Sequence, residues 1–292
     1  MSNPPNFGFT CTQLIRLTGQ FMNVVLLTGC ANGIGRHLAG VFYGRGDAVV
    51  VTDADEAGIR TLTAGWDAAR VLTARLDVRR LTDWQAVLDQ TLARWGRIDI
   101  GLNIAGVLRA GYVAEFDPAD IDFILDVNVK GVMLGSRLLS TQMVRQGRGH
   151  LINIASLAAI SPVIGMSLYS SSKFAVRAFT LAAAGELRRS GVRVSVVCPD
   201  LVDTAMLTQQ INLPEAALSF TGPRTLTVAD VERAVLHDAL VRHRIEIIIP
   251  ASRGWLSKFG NLFPRLSFDV AEQLIKKGRE KQSQYARRVA GT

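Results

Sequence analysis

Short runs of hydrophobic residues alternate along this chain with longer segments in which hydrophobic residues recur every three or four positions. The short runs lack a polar residue at every second position, which is typical of strands buried on both faces of a parallel sheet. The longer segments have the period of helices that cover such a sheet. The pattern predicts one strand that begins at Val24 and six further strands over 48–52, 70–75, 98–102, 151–155, 193–197 and 245–249. It predicts helices after the first strand and near 55–65, 81–95, 118–146, 168–189 and 228–242.

The regular alternation of strands and helices organises most of the chain. It predicts an α/β fold, a doubly wound parallel sheet of about seven strands with helices on both faces. We assign 22–250 to this single domain, because no internal repeat or low-complexity linker divides it. Residues 1–21 are predicted to be a flexible N-terminal extension, with Met22 as an alternative start of the chain. Residues 251–292 are predicted to be a basic, amphipathic helical appendage.

A glycine-rich turn follows the first strand and opens the first helix. Its sequence, Thr-Gly-Cys-Ala-Asn-Gly-Ile-Gly over 28–35, places glycines at 29, 33 and 35. Glycine lets the backbone turn tightly and approach a pyrophosphate, which the N–H groups at the helix start then bind. Many glycine-rich turns bind nothing, but the position between a strand and a helix favours a dinucleotide. The alternative, a phosphate-binding loop ending in Gly-Lys-Ser/Thr, is not present in this turn.

Ser156, Tyr169 and Lys173 carry the candidate chemistry. A predicted strand delivers Ser156 to its end, and the other two residues lie four positions apart in the next helix, so they share one helix face. A phenol with a pKa of about 10 is a poor base at neutral pH unless a cation stabilises the phenolate, and Lys173 is such a cation. The Ser156 hydroxyl can hydrogen-bond an oxygen whose charge changes during a reaction. These residues predict a site that moves a proton to or from an oxygen while a hydride moves elsewhere.

Together with the glycine-rich turn, these residues resemble the motifs of the short-chain dehydrogenase/reductase family, whose mark is Tyr-x-x-x-Lys with an upstream Ser. Three further stretches agree in order and spacing: Asn-Ile-Ala-Gly over 103–106, Asn128 within Asn-Val-Lys-Gly, and Cys-Pro-Asp-Leu-Val-Asp-Thr over 198–204. Two positions depart from the family pattern, Ile104 in place of Asn and Asp200 in place of Gly. Asp200 is otherwise interpreted as a turn former. The resemblance covers about 23–250 and implies a Rossmann-type fold.

The resemblance implies a role for each matching residue. Tyr169 would be the general acid/base, Lys173 would lower its pKa and contact the nicotinamide ribose, and Ser156 would hold the reacting oxygen. Asn128 would hold a water that links Lys173 to solvent, and a hydrogen bond between helices is the alternative role for this residue. The implied cofactor-binding residues are Gly29, Asn32, Gly33, Ile34, Gly35, Asp53, Asp77, Val78, Asn103, Ala105, Gly106, Tyr169, Lys173, Pro199, Val202 and Thr204.

Asp53 bears on the choice between NAD and NADP. It ends the second strand, where a carboxylate accepts hydrogen bonds from the adenosine ribose and repels a 2′-phosphate. No Lys or Arg occupies positions 32 or 54, where NADP-using relatives tend to carry one, whereas Arg36 in the first helical turn argues for NADP. We expect NAD as the cofactor in preference to NADP. The alternative role for Asp53 is to cap the following helix.

Composition narrows the remaining classes of function. The 292 residues are 48% hydrophobic and 20% charged, which is enough to bury a large core. The sequence contains no apolar run of about 18 residues, so no membrane-spanning helix is expected. Three separated cysteines predict a reducing compartment, taken as the cytoplasm. Four histidines without metal-ligand spacing predict that no metal is bound. The net charge is +8. Residues 251–292 contain nine Lys or Arg and three Asp or Glu, which gives this segment a charge of +6. Without a motif that combines basic and aromatic residues, no nucleic acid is expected as a partner.

The segments expected to form the substrate pocket are apolar. They follow Ser156 and Pro199, and no Lys or Arg lies between 157 and 168 or between 199 and 223. A carboxylate or phosphate substrate would favour such a residue. We therefore expect an uncharged, hydrophobic secondary alcohol or ketone, lipid-like in character, and the alternative is that these side chains only pack a lid. The pocket residues that we predict are Ile160, Val163, Met206 and Leu207.

The tail after Pro250 has hydrophobic residues at helical spacing, followed by a basic helix. Such a segment can lie on an anionic membrane surface, which would make the protein peripheral to a membrane. An amphipathic terminal helix more often packs on its own protein or on a sister subunit. The family resemblance also implies a homodimer or homotetramer built on the helices near 118–146 and 168–189.

These features predict an NAD(P)-dependent oxidoreductase that transfers a hydride between nicotinamide and a hydrophobic alcohol or ketone. The alternative is a non-catalytic dinucleotide-sensing or scaffold protein on the same fold. The intact set of Ser156, Tyr169 and Lys173 argues against that alternative. A serine hydrolase would need a Gly-x-Ser-x-Gly turn, which the sequence does not contain.

Overall fold

A computed structural model describes residues 22–290, apart from the side chains of 264, 266–268 and 288–290. At its centre is a sheet whose strands all run parallel. The strands are β1 (Val24–Leu27), β2 (Ala48–Asp53), β3 (Val71–Arg75), β4 (Ile100–Asn103), β5 (Gly149–Ile154), β6 (Val192–Pro199) and β7 (Glu246–Ile249). They lie side by side in the order β3-β2-β1-β4-β5-β6-β7. The predicted doubly wound parallel sheet is confirmed.

Helices cover both faces of this sheet, as the hydrophobic pattern predicts. The segment predicted as one helix near 118–146 is divided by a π-helical turn over Asp126–Lys130, and that near 228–242 continues as a π-helix over Ala234–Val241. Short 3-10 helices occupy Leu157–Ala159, Leu187–Arg189 and Pro214–Thr221. The α-helices are α1 (Gly33–Gly44), α2 (Glu56–Thr63), α3 (Leu81–Trp95), α4 (Ala119–Leu125), α5 (Gly131–Gln146), α6 (Ser167–Glu186), α7 (Ala205–Gln210), α8 (Val228–Arg233), α9 (Ala251–Gly260) and α10 (Pro264–Ala290).

Strand β1 shows why the hydrophobic runs lack polar residues. Val25 and Leu27 pack in one hydrophobic core with side chains of α1, α2 and α8. Leu26, which stands between them, packs in a second core with side chains of α3, α5 and α6. All three are fully buried. Because successive side chains of a strand point to opposite faces, a sheet covered on both faces needs an apolar residue at each position.

The order of the strands opens a crevice at one edge of the sheet. The chain winds outward from β1 to β2 and β3, and then returns to β4 on the other side of β1. The connections after β1 and β4 therefore lead away in opposite directions, and ligands bind in the crevice that this reversal leaves at the carboxyl ends of the strands. The glycine-rich turn follows β1, Asp53 ends β2, Asp77 follows β3, and the other predicted motifs follow β4, β5 and β6.

Helices α9 and α10 follow the last strand and pack against the segment after β6. Helix α10 lies on the 3-10 helix Pro214–Thr221 so closely that a Cβ on Gly278 would stand 2.1 Å from the Ala217 carbonyl oxygen. One turn later, Gln282 Nε2 donates a hydrogen bond of 2.7 Å to the Gln210 carbonyl oxygen. The C-terminal appendage is thus tied to the connection that carries the predicted pocket residues.

Two other sequence-based expectations concern membrane spans and the N terminus. Within residues 22–290, no helix combines the length and the apolar character that crossing a membrane requires. The predicted extension over 1–21 lies outside the described residues.

Candidate active site

A cavity of about 840 Å³ lies at the carboxyl edge of the sheet. The segments after β1, β4, β5 and β6 line it, together with side chains of α9 and α10. Three predicted site residues, Asn103, Asn128 and Ile160, lie outside its wall. The predicted residues that line it are Gly29, Asn32, Gly33, Ile34, Gly35, Asp53, Asp77, Val78, Ala105, Gly106, Ser156, Val163, Tyr169, Lys173, Pro199, Val202, Thr204, Met206 and Leu207.

The glycine-rich turn has a shape that fits a pyrophosphate. Gly29 and Gly33 have φ values of 72° and 55°, a region that favours glycine. A Cβ on Gly35 would stand 2.0 Å from the Gly29 carbonyl oxygen, so a larger residue would force the turn open. The Asn32 side chain does not cap α1, which leaves the backbone N–H groups of the first helical turn available to an anion in the cavity.

Asp53 holds its carboxylate at the wall of the cavity. Oδ2 accepts a hydrogen bond from Ala31 N and Oδ1 accepts one from Asp55 N, each at 2.9 Å. The alternative that Asp53 caps the following helix is wrong, because Asp55 is the N-cap of α2 and accepts a hydrogen bond of 3.1 Å from Gly58 N. The Asp53 carboxylate is therefore anchored to the glycine-rich turn.

Asp77 and Arg79 form an ion pair at the same end of the cavity. Arg79 Nη2 lies 2.6 Å from Asp77 Oδ2, and Arg79 Nε lies 2.9 Å from Asp77 Oδ1, which is a bidentate arrangement. The hydrogen bonds from Arg79 lower the pKa of Asp77, although burial acts in the opposite direction. Arg79, which the sequence did not single out, thus brings a cation whose charge is already balanced.

Asn103 is buried below the cavity and does not line it, although the sequence places it among the cofactor-binding residues. Its Nδ2 donates hydrogen bonds to Asn153 Oδ1 at 2.8 Å and to Ser136 Oγ at 3.2 Å. Asn103 and Asn153 are directly opposite each other in the β4–β5 pair, and Asn153 Nδ2 in turn donates to Thr180 Oγ1 at 2.9 Å inside the core. The residues after Asn103 do reach the cavity, where Ala105 N donates to Thr28 Oγ1 at 3.1 Å.

The π-helical turn between α4 and α5 places Asn128 beside the segment after β4. Its Oδ1 accepts a hydrogen bond from Val107 N at 2.8 Å, and its Nδ2 donates to Ser172 Oγ at 3.0 Å. Asn128 therefore makes the hydrogen bond between helices that the sequence left as an alternative. A Cβ on Gly106 would stand 3.3 Å from Asn128 Oδ1 and 3.4 Å from Lys173 Nζ. Glycine at 106 keeps the space between this amide and the ammonium open.

Ser156, Tyr169 and Lys173 meet at the cavity. Ser156 follows β5 and begins a 3-10 turn, in which its Oγ accepts a hydrogen bond of 3.1 Å from Ala158 N. Tyr169 and Lys173 lie one turn apart on α6, with the Lys173 Nζ 5.7 Å from the centre of the phenol ring. Both side chains are buried, so their charged forms are poorly solvated.

Burial dominates the ionisation of both α6 side chains. It raises the pKa of Tyr169 to about 12, while a hydrogen bond with Ser156 acts in the opposite direction. It lowers the pKa of Lys173 to about 8. The expectation that Lys173 lowers the pKa of Tyr169 is not met in this structure. Lys173 Nζ instead donates to the Ile154 carbonyl oxygen at 3.3 Å, and burial of the phenol sets the direction of the Tyr169 shift.

Ile160 is not a wall residue of the cavity, contrary to the sequence-based expectation. Its side chain is buried in a core that includes Val176 of α6 and Val196 of β6, so it points into the protein. The apolar wall at this end comes from other residues after β5 and β6, among them Val163, Met206 and Leu207.

Helices α9 and α10 supply wall residues that the sequence did not assign to the site. Asn261 also ties this region to the segment after Ser156, since its side chain donates a hydrogen bond to the Ile160 carbonyl oxygen. Topology could have indicated this arrangement, because β7 ends at the same edge as β5 and β6 and the chain must emerge beside the cavity. The lining residues from these helices include Arg253, Leu256, Phe259, Val270 and Leu274.

Asp200 and Arg253 form a charged pair at the apolar end of the cavity. Arg253 Nε lies 3.0 Å from Asp200 Oδ2, and Arg253 Nη1 donates to Thr221 Oγ1 at 3.3 Å. Burial raises the pKa of Asp200, and the positive charge of Arg253 is the larger of the opposing effects. Asp200, which departs from the resembled motif, therefore has a partner on α9 and is more than a turn former.

A family model for short chain dehydrogenases matches residues 23–213. The subunit BbsD of (2S)-[(R)-hydroxy(phenyl)methyl]succinyl-CoA dehydrogenase from Thauera aromatica is 37% identical over 206 residues, which cover 70% of this chain and 82% of that protein. A 3-alpha-(or 20-beta)-hydroxysteroid dehydrogenase from Mycobacterium bovis is 36% identical over 192 residues, or 65% of this chain and 72% of that protein. The crystal structure of a short chain dehydrogenase/reductase from Burkholderia phymatum in complex with NAD has a TM-score of 0.75 and 26% identity, covering 84% of this chain and 95% of that one.

The buried ammonium of Lys173 predicts a dependence of stability on pH. Its pKa is about 8 in the folded protein and 10.5 in its ordinary, solvated state, so the unfolded chain binds more protons between these values and the wild type gains stability as pH rises through this window. At pH 7 we expect Lys173→Met to unfold at a higher urea concentration than the wild type. Its free energy of unfolding should be larger by on the order of 3 kcal/mol. The advantage of the variant should shrink steadily between pH 8 and pH 10.5.

Urea unfolding of both proteins across this range measures the effect. Lys130→Met is the matched control, because Lys130 is exposed and pairs with Asp126 on the surface. The difference in unfolding free energy between this variant and the wild type should change little over the same pH range. A Lys173→Met advantage that stays constant from pH 7 to pH 10 would contradict a buried, charged Lys173.

Proposed function

Since the chain belongs to the short-chain dehydrogenase/reductase family, it is an NAD(P)-dependent oxidoreductase that acts on CH–OH groups, and we propose that its substrate is an uncharged, hydrophobic secondary alcohol or ketone. The apolar end of the cavity carries this proposal. Its wall includes Val163, Met206 and Leu256, and its one cation outside α6, in the part of the chain that the structure describes, is Arg253, which Asp200 neutralises. The hydroxysteroid dehydrogenase named above supports the same class, since a hydroxysteroid is a bulky hydrophobic alcohol, whereas BbsD is named for a CoA ester.

In the mechanism that we propose, Tyr169 exchanges a proton with the substrate oxygen. A bound nicotinamide cofactor supplies the hydride acceptor or donor. With a pKa raised to about 12, the phenol is protonated at neutral pH and suited to give its proton to a carbonyl oxygen. The phenolate that this leaves, which in the reverse direction takes a proton from the alcohol, needs a nearby cation, and Lys173, whose pKa of about 8 keeps it largely protonated at neutral pH, provides one. Ser156 holds the reacting oxygen by a hydrogen bond.

Asn128 has a supporting role in this mechanism. Its contacts with Val107 and Ser172 fix the segment after β4 against α6, and the open space at Gly106 separates it from Lys173. A water held in that space would connect the Lys173 ammonium to solvent. A proton from solvent would then replace the proton that Tyr169 gives away.

Tyr169→Phe tests the proton transfer. We expect turnover of hydrophobic secondary alcohols with NAD to fall by about 10²–10⁴-fold, because the phenol oxygen is the acid/base. Binding of NADH, measured by its fluorescence, should remain close to that of the wild type. Tyr112→Phe is the matched control, since Tyr112 is exposed and outside the cavity wall. Near-normal rates for Tyr169→Phe would overturn the proposed role.

NAD is the cofactor that we propose, in preference to NADP. The support is the anchored Asp53 carboxylate, which would accept hydrogen bonds from a ribose and repel a 2′-phosphate. Arg36 turns back on its own helix start, where its Nη1 donates to the Ala31 carbonyl oxygen at 3.3 Å. Arg79 is held by Asp77.

Asp53→Asn tests this preference. The change removes the negative charge but keeps a side chain of the same size, so we expect the ratio of the dissociation constants for NADPH and NADH to fall by about tenfold or more. Asp55→Asn is the control, because it removes a neighbouring negative charge while asparagine keeps the side-chain oxygen that caps α2, and the ratio should change little. Wild-type protein that binds NADPH as tightly as NADH would contradict the role of Asp53.

The partner that we propose for the exposed apolar surface of the C-terminal region is an anionic membrane. This surface comprises Trp255, Leu262 and Phe263, and Trp255 and Leu262 are 76% and 71% exposed. It adjoins Leu256 and Phe259, which are both exposed and part of the cavity wall, so a hydrophobic substrate could enter directly from a bilayer. The net charge of +6 over 251–292 favours anionic lipid. A homodimer or homotetramer built on the helices near 118–146 and 168–189 is a separate proposal, and the exposed Met133 and Val144 of α5 support it.

Flotation with vesicles tests the membrane contact. We expect binding to phosphatidylglycerol vesicles and weaker binding to phosphatidylcholine vesicles. The variant Trp255→Ser with Leu262→Ser should reduce binding by about tenfold or more, because two large apolar side chains no longer enter the lipid. Val113→Ser with Val241→Ser is the control, since both valines are exposed elsewhere. An equal loss of vesicle binding in both double variants, or no binding of the wild type to either kind of vesicle, would contradict the proposal. Light scattering without lipid would then show whether a second copy of the chain covers the surface.

A further inference from the structure

The Asp200–Arg253 pair puts a buried carboxylate and a guanidinium inside a cavity that is otherwise apolar at this end. Both residues line the cavity. The Asp200 side chain is 7% exposed and that of Arg253 is 23% exposed. Burying two charges is costly unless each is balanced, so the pair requires a physical explanation beyond the closing of a turn.

The balance between the two charges is local. In the part of the chain that the structure describes, Arg253 is the only residue that forms an ion pair with Asp200, and Thr221 Oγ1 is the other side-chain acceptor of Arg253. Asp200 Oδ2 accepts no hydrogen bond of regular geometry within these residues, so the 3.0 Å approach of Arg253 is the main support of the carboxylate charge, ahead of the backbone N–H of Leu201. The pair is therefore neutral as a unit, and it leaves no free charge at the apolar end.

We propose that Asp200 is a specificity-determining residue that keeps the cavity selective for uncharged substrates by neutralising Arg253. Without Asp200, the Arg253 guanidinium is a free cation on an apolar wall and binds the carboxylate of an anionic substrate. The inference rests on the proposed function for the nature of the substrate, and it deepens that proposal by naming the residue that sets the charge of the site.

The two partners are not equivalent in this respect. An arginine stays charged in any protein environment, so removing Asp200 leaves a positive charge in the cavity. An aspartate protonates when it is buried without a cation, and burial already raises the pKa of Asp200. Removing Arg253 therefore leaves a neutral wall. A pair that served only to fasten α9 would lose the same contact whichever partner was removed, and it would not produce opposite selectivities.

The test compares 2-decanol with 9-hydroxydecanoate, which carries a carboxylate in place of the far methyl group of 2-decanol. We expect Asp200→Asn to raise the ratio of kcat/KM for the hydroxy acid over that for the alcohol by about tenfold or more, the gain from one charge-assisted contact. Arg253→Gln and the double variant should keep the preference of the wild type for the alcohol. Asp200→Ser is a second variant, with a smaller side chain, should the asparagine disturb folding.

A binding measurement makes the result independent of turnover. Decanoate, which has no hydroxyl to oxidise, should raise the unfolding temperature of NADH-bound Asp200→Asn and should leave that of the wild type and of Arg253→Gln unchanged. If no alcohol is oxidised by any variant but decanoate still binds selectively, the proposed function fails and the role of Asp200 stands. The role of Asp200 is overturned if neither Asp200 variant gains carboxylate binding, if Arg253→Gln gains it equally, or if the wild type already binds decanoate.

Discussion

The parallel direction of all seven strands is the constraint on which the rest of the structure depends. It brings the carboxyl ends of all strands to one edge, so that motifs separated by more than a hundred residues in sequence line one cavity. Strands β2 and β3 deliver Asp53 and Asp77 to one end, and β5 and β6 deliver Ser156 and the pocket segments to the other. Strand β7 ends at the same edge and sends α9 back over the apolar end.

Burial then sets the chemistry of the cavity. A group that is removed from water keeps its charge only when a partner balances it, and most charges in this cavity are balanced: Asp77 by Arg79, and Asp200 by Arg253. Among the described residues Lys173 has no such ion pair and donates to a carbonyl oxygen, and burial lowers its pKa to about 8. The ammonium beside Tyr169 is the electrostatic asymmetry on which the proposed proton transfer depends.

Sequence alone could predict the sheet, because apolar strands and amphipathic helices have different periods. It could also predict the residues of the glycine-rich turn and the Tyr-x-x-x-Lys helix, whose spacing is local. It failed where a side chain's direction depends on tertiary packing: Ile160 turns into the core, and Asn103 pairs with Asn153 across the sheet. The Arg253 contribution was missed because its partner Asp200 is far away in sequence, and only the path of the chain after β7 brings the two together.

The transfer of a hydride from a hydrophobic alcohol is most directly tested with a substrate deuterated at its carbinol carbon. The wild-type protein would be incubated with NAD and deuterated 2-decanol, and the reduced cofactor would be analysed by mass spectrometry. We expect NADH that carries one deuterium from the alcohol. Oxidation of the alcohol without deuterium in the cofactor, or binding of NAD with no oxidation of any secondary alcohol supplied, would contradict the proposed reaction.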